Sequence, residues 1–291
     1  MPVSLVFGAS GAIGRFLMPR LLAAGNEVIA VSREPRTSCH SGLRWIAGDL
    51  PSRMPPVPEC AAIVSLGPLD AFAEWFAKSR VDGRPRIVAL GSMSATVKQA
   101  SADPNEREIA ERLVRAERRL AETADARGCA STVLRATLIY GAGLDRSLTP
   151  LVDLARRWRM FPYVSDARGL RQPVHAEDLA EACATLSTAP ALPRLVYDVG
   201  GGERITFAMM LVRVRESLSF GTLPLPIPIA LARTGAVIAR RLPAYRTASA
   251  AAIERMNNDL VADHAAAVGD FGWSPRDFRP DSNAWTPPPL P

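Results

Sequence analysis

Gly8-Ala9-Ser10-Gly11-Ala12-Ile13-Gly14 is the segment whose residue types and spacing most directly suggest chemistry. It lies between an apolar run, Val3 to Phe7, and a helix-like segment, Ala12 to Ala24. In that context Gly8 and Gly11 permit a tight turn and close approach of backbone to a pyrophosphate. Gly14 lets helix and strand pack closely, and the free N–H groups of the helix start, around Ser10, Ala12 and Ile13, face the anion. The chemistry expected is dinucleotide binding. A second element refines it. The next apolar run ends Val31-Ser32-Arg33, with Arg36 close behind, where an Asp or Glu would hold a free ribose 2′-hydroxyl. A hydroxyl followed by guanidinium groups suits a 2′-phosphate, so NADP(H) is expected over NAD. Glu34 is the contrary sign.

Those residues need a scaffold, and the chain supplies its pattern. Near-continuous apolar runs at Val3–Phe7, Glu27–Ser32, Leu43–Ile46, Ala61–Leu66, Arg86–Leu90, Thr132–Arg135 and Leu195–Val199 read as strands buried on both faces. Helix-length segments at Ala12–Ala24, Asp70–Ser79 and Asn105–Arg127 alternate with them, as in βαβ units around a parallel sheet. Pro51 to Pro58 is too proline-rich for a helix, so that crossover should be abbreviated. Beyond Tyr140 the spacing predicts helices over Leu148–Arg159, Ala176–Ser187, Arg204–Ser219, Ile229–Arg241 and Ala248–Val268, and a Pro-rich tail from Ser274 running over the surface. The fold class expected is α/β: a Rossmann-like doubly wound parallel sheet with a small, mostly helical C-terminal substrate lobe. The boundaries expected are 1–140 for the nucleotide-binding part, with a strand returning near 170–200, and 141–291 for the interleaved lobe.

Composition excludes several classes. With 291 residues, 48% hydrophobic and 22% charged, the chain has ample material for a core. Its most apolar stretch, Leu223 to Leu242, is broken by Pro224, Pro226, Pro228, Arg233, Arg240 and Arg241, so no membrane span is expected. The start, MPVSLVFG, lacks a basic region and a cleavage pattern, and a cytoplasmic location is expected. Net charge is +6, and all basic residues but Lys78 and Lys98 are Arg, which suits an anionic small-molecule substrate. Arg residues are interleaved with acidic ones and no nucleic-acid motif occurs, so no nucleic-acid partner is expected. Cys39, Cys60, Cys129 and Cys183 stand apart, which predicts free thiols without a metal site or a disulfide framework. The proline-punctuated Leu223–Ile229 segment is a candidate to cover a cleft or to form a homodimer contact.

The G-x-x-G-x-x-G spacing resembles that of the extended and atypical short-chain dehydrogenases/reductases, the group of NAD(P)-dependent epimerases and dehydratases. Further similarities follow in order: Gly48-Asp49-Leu50, Leu66-Gly67-Pro68, Arg135 to Tyr140-Gly141, Gln172-Pro-Val-His175-Ala-Glu-Asp178, and Tyr197-Asp-Val-Gly200-Gly. The resemblance covers about residues 3 to 210 and, loosely, Gly272 to Arg276. It implies that Asp49 meets the adenine and that Leu50, Leu66, Gly67, Ser92, Ala136 and Leu138 border the cofactor. Ser94 matches the position of the family's catalytic Ser or Thr, and Lys98 replaces a family Tyr a few residues on. The family's chemistry rests on Tyr-x-x-x-Lys, and no such pair occurs here: the residues four before the two lysines are Glu74 and Ser94. Counting back in fours from the family-like Glu117 places Leu113 and Ile109 at the Lys and Tyr positions. Neither can transfer a proton. The function expected is an NADP(H)-dependent oxidoreductase or epimerase/dehydratase-like enzyme on a carbonyl, hydroxyl or nucleotide-sugar-like substrate, with Ser94 and Lys98 as its catalytic groups. A catalytically inactive NADP(H) sensor or scaffold is the alternative. His175, His264 and the cluster Arg156, Arg157 and Arg159 are lesser candidates, expected to be structural or solvated.

Overall fold

A computed structural model of the chain describes residues 1–239 and 255–291. A seven-stranded parallel sheet forms its centre, in the order β11-β6-β5-β4-β1-β2-β3. The strands are β1 (Val3–Phe7), β2 (Glu27–Ser32), β3 (Leu43–Ala47), β4 (Ala62–Ser65), β5 (Arg86–Ser92), β6 (Ser131–Ala136) and β11 (Val196–Val199). Their apolar runs are covered on both sides. Val6, Val28, Ala30, Val64, Val88 and Leu134 point to one face, under α1 (Ala12–Ala23) and α6 (Ala176–Thr188). Their neighbours Leu5, Phe7, Ile29, Ile63, Ile87 and Val133 point to the other, under α2 (Leu69–Lys78) and α4 (Pro104–Ala126). Period-two alternation along each strand divides the apolar material between two layers. Between β3 and β4 the chain crosses without a helix, as the prolines of 51–58 predict. Strand order reverses between β1 and β4, and ligands of doubly wound sheets bind in the crevice at the carboxyl ends of such a switch point.

A third apolar cluster joins Tyr140, Leu148, Val152, Phe161, Met210, Leu211, Val214, Phe278 and Trp285. It is built by α5 (Thr149–Trp158), α7 (Phe207–Glu216) and the β8 (Met160–Val164) strand, which pairs in parallel with β13 (Leu223–Ile227). Short pairs β7 (Ile139–Tyr140) with β10 (Val174–His175), and β9 (Leu170–Arg171) with β12 (Ile205–Thr206), link this cluster to the sheet.

The second half corrects three expectations. The helix expected from Arg204 begins only at Phe207, because Ile205 and Thr206 are drawn into β12 and the Thr206 hydroxyl caps α7 through the Met209 N–H. Among the described residues of Ala248–Val268, only Arg255–Asn257 and the start of Ala265–Phe271 are helical; 258–264 are irregular and tied to the body by polar contacts such as Ala262 N–H to Gln172 Oε1. Residues 240–254, including Tyr245 and the ends of two expected helices, lie outside the described residues. The tail is not superficial. Phe278, Ala284 and Trp285 are buried, and the Trp285 indole donates to Ser217 Oγ at 2.8 Å. Large aromatic side chains spaced among the prolines outweigh the polar look of the segment.

Candidate functional site

The glycine loop forms a cradle at the switch point. Gly8 has φ +73°, and a Cβ there would come within 3.1–3.3 Å of the backbone of Leu66 and Gly67, so the ends of β1 and β4 abut. Gly14 is tighter still: a Cβ would meet the Ala9 carbonyl. Gly11 caps α1 without a side-chain bond, and no acidic residue stands in the helix's first turn. The N–H groups of Ala12 and Ile13 therefore open toward an anion, and Gly67 has nothing within 4 Å of its missing side chain. These are the features a dinucleotide's pyrophosphate requires, and the residues fit it.

Around the cradle the remaining residues fall into place unevenly. Ser32 ends β2 buried, and its hydroxyl accepts Arg36 Nε at 3.1 Å and the Glu34 N–H at 3.3 Å. Arg33, singled out from the sequence, is exposed and makes no hydrogen bond or ion pair among the described residues; Arg36 is the guanidinium that meets Ser32. Asp49 follows β3, pairs with Arg53 through both backbones and faces its guanidinium at 3.4 Å. Leu50 leans on the core below. Ala136 closes β6 with its carbonyl accepting Met93 N–H, and Leu138 borders the third cluster.

Ser92 ends β5, and its hydroxyl accepts the Ser94 N–H at 3.1 Å, starting the short helix α3 (Ser94–Val97). Ser94 and Lys98 line one cavity of about 570 Å³ together with Asp103, Glu106, Arg171, Arg255 and Asp259. Glu106 organises it. Its carboxylate receives Arg255 at 2.6 Å, the Ser101 hydroxyl at 2.7 Å and Lys98 Nζ at 3.3 Å. Burial opposes its ionisation, but Ser101, Arg255 and Lys98 together hold its pKa below the usual carboxylate value. Arg171 is 5% exposed and donates to the carbonyls of Leu170, Asn258 and Arg255. Burial draws its pKa down to about 10, with Asp259 opposing. The cavity gathers a hydroxyl, an ammonium and two guanidiniums, the cations partnered by Glu106 and backbone carbonyls, beside the carboxylates of Asp103 and Asp259. Glu106, Arg171 and Arg255 were not singled out from the sequence. Asp103-Pro-Asn-Glu106 has the form of a capping box, which signals a helix start and gives no hint that the Glu turns toward a cleft.

The register of α4 is fixed by a clamp at Glu117. Arg135 grips the Glu117 carboxylate with two bonds, at 2.7 and 2.5 Å, and lies 3.7 Å from Asp198. That clamp aligns α4 with β6. One and two turns earlier come Leu113 and Ile109, with Leu113 turned to the apolar core. Three turns earlier comes Glu106, so the polar end of this helix face is a carboxylate paired with Lys98.

The lesser candidates have structural roles. His175 caps α6, its Nδ1 accepting the Glu177 N–H at 3.1 Å, and its ring stands edge-on to Tyr140 at 5.0 Å. Burial and then Arg276 hold its pKa below the usual imidazole value. Being neutral in the folded chain, it contributes stability that is full above about pH 6.5 and lost as pH falls below that toward its lowered value. His175→Asn keeps an acceptor for the cap and removes the titration. Thermal unfolding followed between about pH 5 and 6.5 should show a shallower loss of stability for this variant than for the parent chain. His264 stands just before the helix Ala265–Phe271, 3.5 Å from the Gln172 amide. Arg156 pairs with Asp153, Arg157 covers Trp158 and Arg159 covers Phe220, all away from the cavity. Among the described residues no group of His, Cys, Asp and Glu could hold a metal ion.

A glycine cradle at the switch of a parallel sheet, followed by the Glu117 helix, lies within the part of the chain that matches a family model. Residues 4–130 match the NAD dependent epimerase/dehydratase family. This epimerase/dehydratase match ends just before β6, so Arg171 and Arg255 lie beyond it. No curated protein matches the chain. Solved structures do. "MoeE5 in complex with UDP-glucuronic acid and NAD" is 20% identical, with 97% of each chain covered and a TM-score of 0.68. A UDP-glucose 4-epimerase with UDP-glucose from Thermotoga maritima is 15% identical, covering 98% of this chain and 97% of its own, with a TM-score of 0.66. The NAD dependent NDP-hexosamine 5,6-dehydratase TunA, involved in tunicamycin biosynthesis, is 16% identical, covering 94% and 91%, with a TM-score of 0.62. These likenesses show the epimerase/dehydratase fold. No helix among the described residues is long and apolar enough to cross a membrane.

Proposed function

We propose that the chain is a nicotinamide-dinucleotide-dependent oxidoreductase of the epimerase/dehydratase type, acting on an anionic, nucleotide-sugar-like substrate. One observation carries the reading: an uncapped, glycine-lined helix start and a cavity holding Ser94, Lys98, Arg171 and Arg255 lie on the carboxyl side of one parallel sheet. In this reading residues 1–140, with the strand that returns at 196–199, seat the cofactor, and 141–291 complete the substrate side. Gly8, Ser10, Gly11, Ala12, Ile13 and Gly14 hold the pyrophosphate. Ser32 and Arg36 favour the 2′-phosphate of NADP(H), although NAD is the cofactor named with several similar structures. The bound dinucleotide supplies a hydride donor or acceptor.

The chain's own groups do the rest. Ser94 Oγ hydrogen-bonds the substrate oxygen at the reacting carbon. Lys98 Nζ, held at 3.3 Å by Glu106, gives or takes the proton on that oxygen. Arg171 and Arg255 orient the anionic part of the substrate and fix its distance from the nicotinamide. Lys98→Ala is expected to lower kcat about 10²–10⁴-fold, the usual weight of a general acid or base, while leaving dinucleotide binding intact. The assay follows both NADPH absorbance and product composition over a panel of UDP- and TDP-sugars. Absence of turnover by the parent chain on every substrate, with dinucleotide bound, would favour a second reading. In it the chain is an inactive NADP(H) sensor, a role favoured by a sequence in which no Tyr stands four residues before Lys78 or Lys98.

A further inference from the structure

Residues 286–291 run beside the cradle, and their sequence explains why they are held lightly. Pro287, Pro288, Pro289 and Pro291 have no backbone N–H to give to a helix or a sheet. Carbonyls and one apolar side chain do the fastening instead. Arg15 Nη1 donates to the Pro288 carbonyl, and the Ser38 hydroxyl donates to the Pro291 carbonyl at 3.2 Å. Leu290 is half-buried beside Pro35, Arg36, Thr37 and Trp45, against the apolar cluster under α1 and α6. Thr286, Pro287 and Pro289 are exposed. A segment with so little buried apolar contact belongs to the part of a protein that opens at low cost.

Its root, by contrast, is firm. Trp285 is buried in the third apolar cluster, and the Ala284 carbonyl accepts the Gly143 N–H at 3.0 Å in the loop after β7. From Trp285 to Leu290 the chain spans at most about 18 Å, so it bridges that loop and the loop after β2 with little slack. Between them stands Arg15, whose Nε donates to the Ser10 carbonyl at 3.2 Å, which places Pro288 one side chain away from the glycine loop. The strap thus touches the loop after β7, the glycine loop and the loop after β2 in turn. A dinucleotide lying across the carboxyl ends of the strands would meet the same three places with its nicotinamide half, its pyrophosphate and its adenosine ribose.

We propose that residues 286–291 are a latch that gates dinucleotide entry and exit, closed when Leu290 is seated and Arg15 holds Pro288, and released for each exchange. This rests on the dinucleotide reading above and adds its regulation; it is the same for NAD and NADP, since Leu290 and Trp285 anchor the latch whichever is held. The test is stopped-flow fluorescence with NADPH and with NADH, on the full chain, on a chain lacking residues 287–291 and on Leu290→Ser. Without the latch, the association and dissociation rate constants should both rise at least about tenfold, with the dissociation constant changing less than about threefold. Leu290→Ser, which keeps every backbone carbonyl and the whole length, should raise both rates at least about threefold, and decides the matter alone if the shortened chain does not unfold cooperatively. Unchanged rates in Leu290→Ser and in a folded shortened chain overturn the latch and leave the dinucleotide reading standing. Faster dissociation with unchanged association makes the segment a fixed wall of the site and also overturns the latch. Absence of binding by all three chains overturns the dinucleotide reading itself, and the latch with it.

Discussion

Gly14→Ala is expected to raise the dissociation constant for a nicotinamide dinucleotide at least tenfold and to lower stability by about 1–3 kcal/mol, the range for overpacking a well-filled core. The methyl group would have to share space with the Ala9 carbonyl, and backbone cannot swing aside as a flexible side chain can. Helix α1 must slide outward. Its first N–H groups then leave the positions from which they meet the pyrophosphate, and Ile13, Leu17 and Leu21 are drawn partly from the core they fill. Gly221→Ala is the control, because nothing stands within 4 Å of that position, which lies after α7 and outside the cradle, and both affinity and stability should hold. Fluorescence titration with NADPH and chemical unfolding read the two effects separately.

Arg135→Ala should be the most destabilising single change among the polar residues. Glu117 is 4% exposed, and its carboxylate is held by the two-bond grip of Arg135. That same grip, ahead of the opposing burial, raises the pKa of Arg135. Removing one partner of a buried pair leaves an uncompensated charge and costs about 3–5 kcal/mol, whereas replacing both with apolar residues of similar volume is often close to neutral. Arg135→Met with Glu117→Leu should therefore recover most of what Arg135→Ala loses, as measured by urea unfolding. If Arg135→Ala costs less than about 1 kcal/mol, the clamp does not set the register of α4.

The first half of the molecule was legible because its signals are local. Apolar runs bounded by glycine and proline give the strands of the sheet, and the cradle is contained in seven consecutive residues, Gly8 to Gly14. The proline run 51–58 announced a missing helix for a reason of backbone chemistry. The cleft was legible only in part, since its polar groups come from distant segments: Lys98 and Glu106 from around α3 and α4, Arg171 from β9, Arg255 from after residue 254. Nothing in the local pattern of Glu106 distinguishes a helix cap from a cleft carboxylate until Lys98 and Arg255 are brought to it. The tail misled for a related reason. Its prolines suggest exposure, but Phe278 and Trp285 find apolar partners more than sixty residues away, on α7 and around Ser217. Arg33 and Arg36 illustrate the finest grain: both follow β2, and only the turn at Glu34 decides which one reaches Ser32.

Isothermal titration of the full chain with NAD⁺, NADH, NADP⁺ and NADPH addresses the central claim most directly. The account predicts saturable binding of one dinucleotide per chain, strongest for the phosphorylated forms and weakened at least tenfold by Gly14→Ala. Absence of binding for all four, by a chain whose thermal unfolding is cooperative, would contradict it.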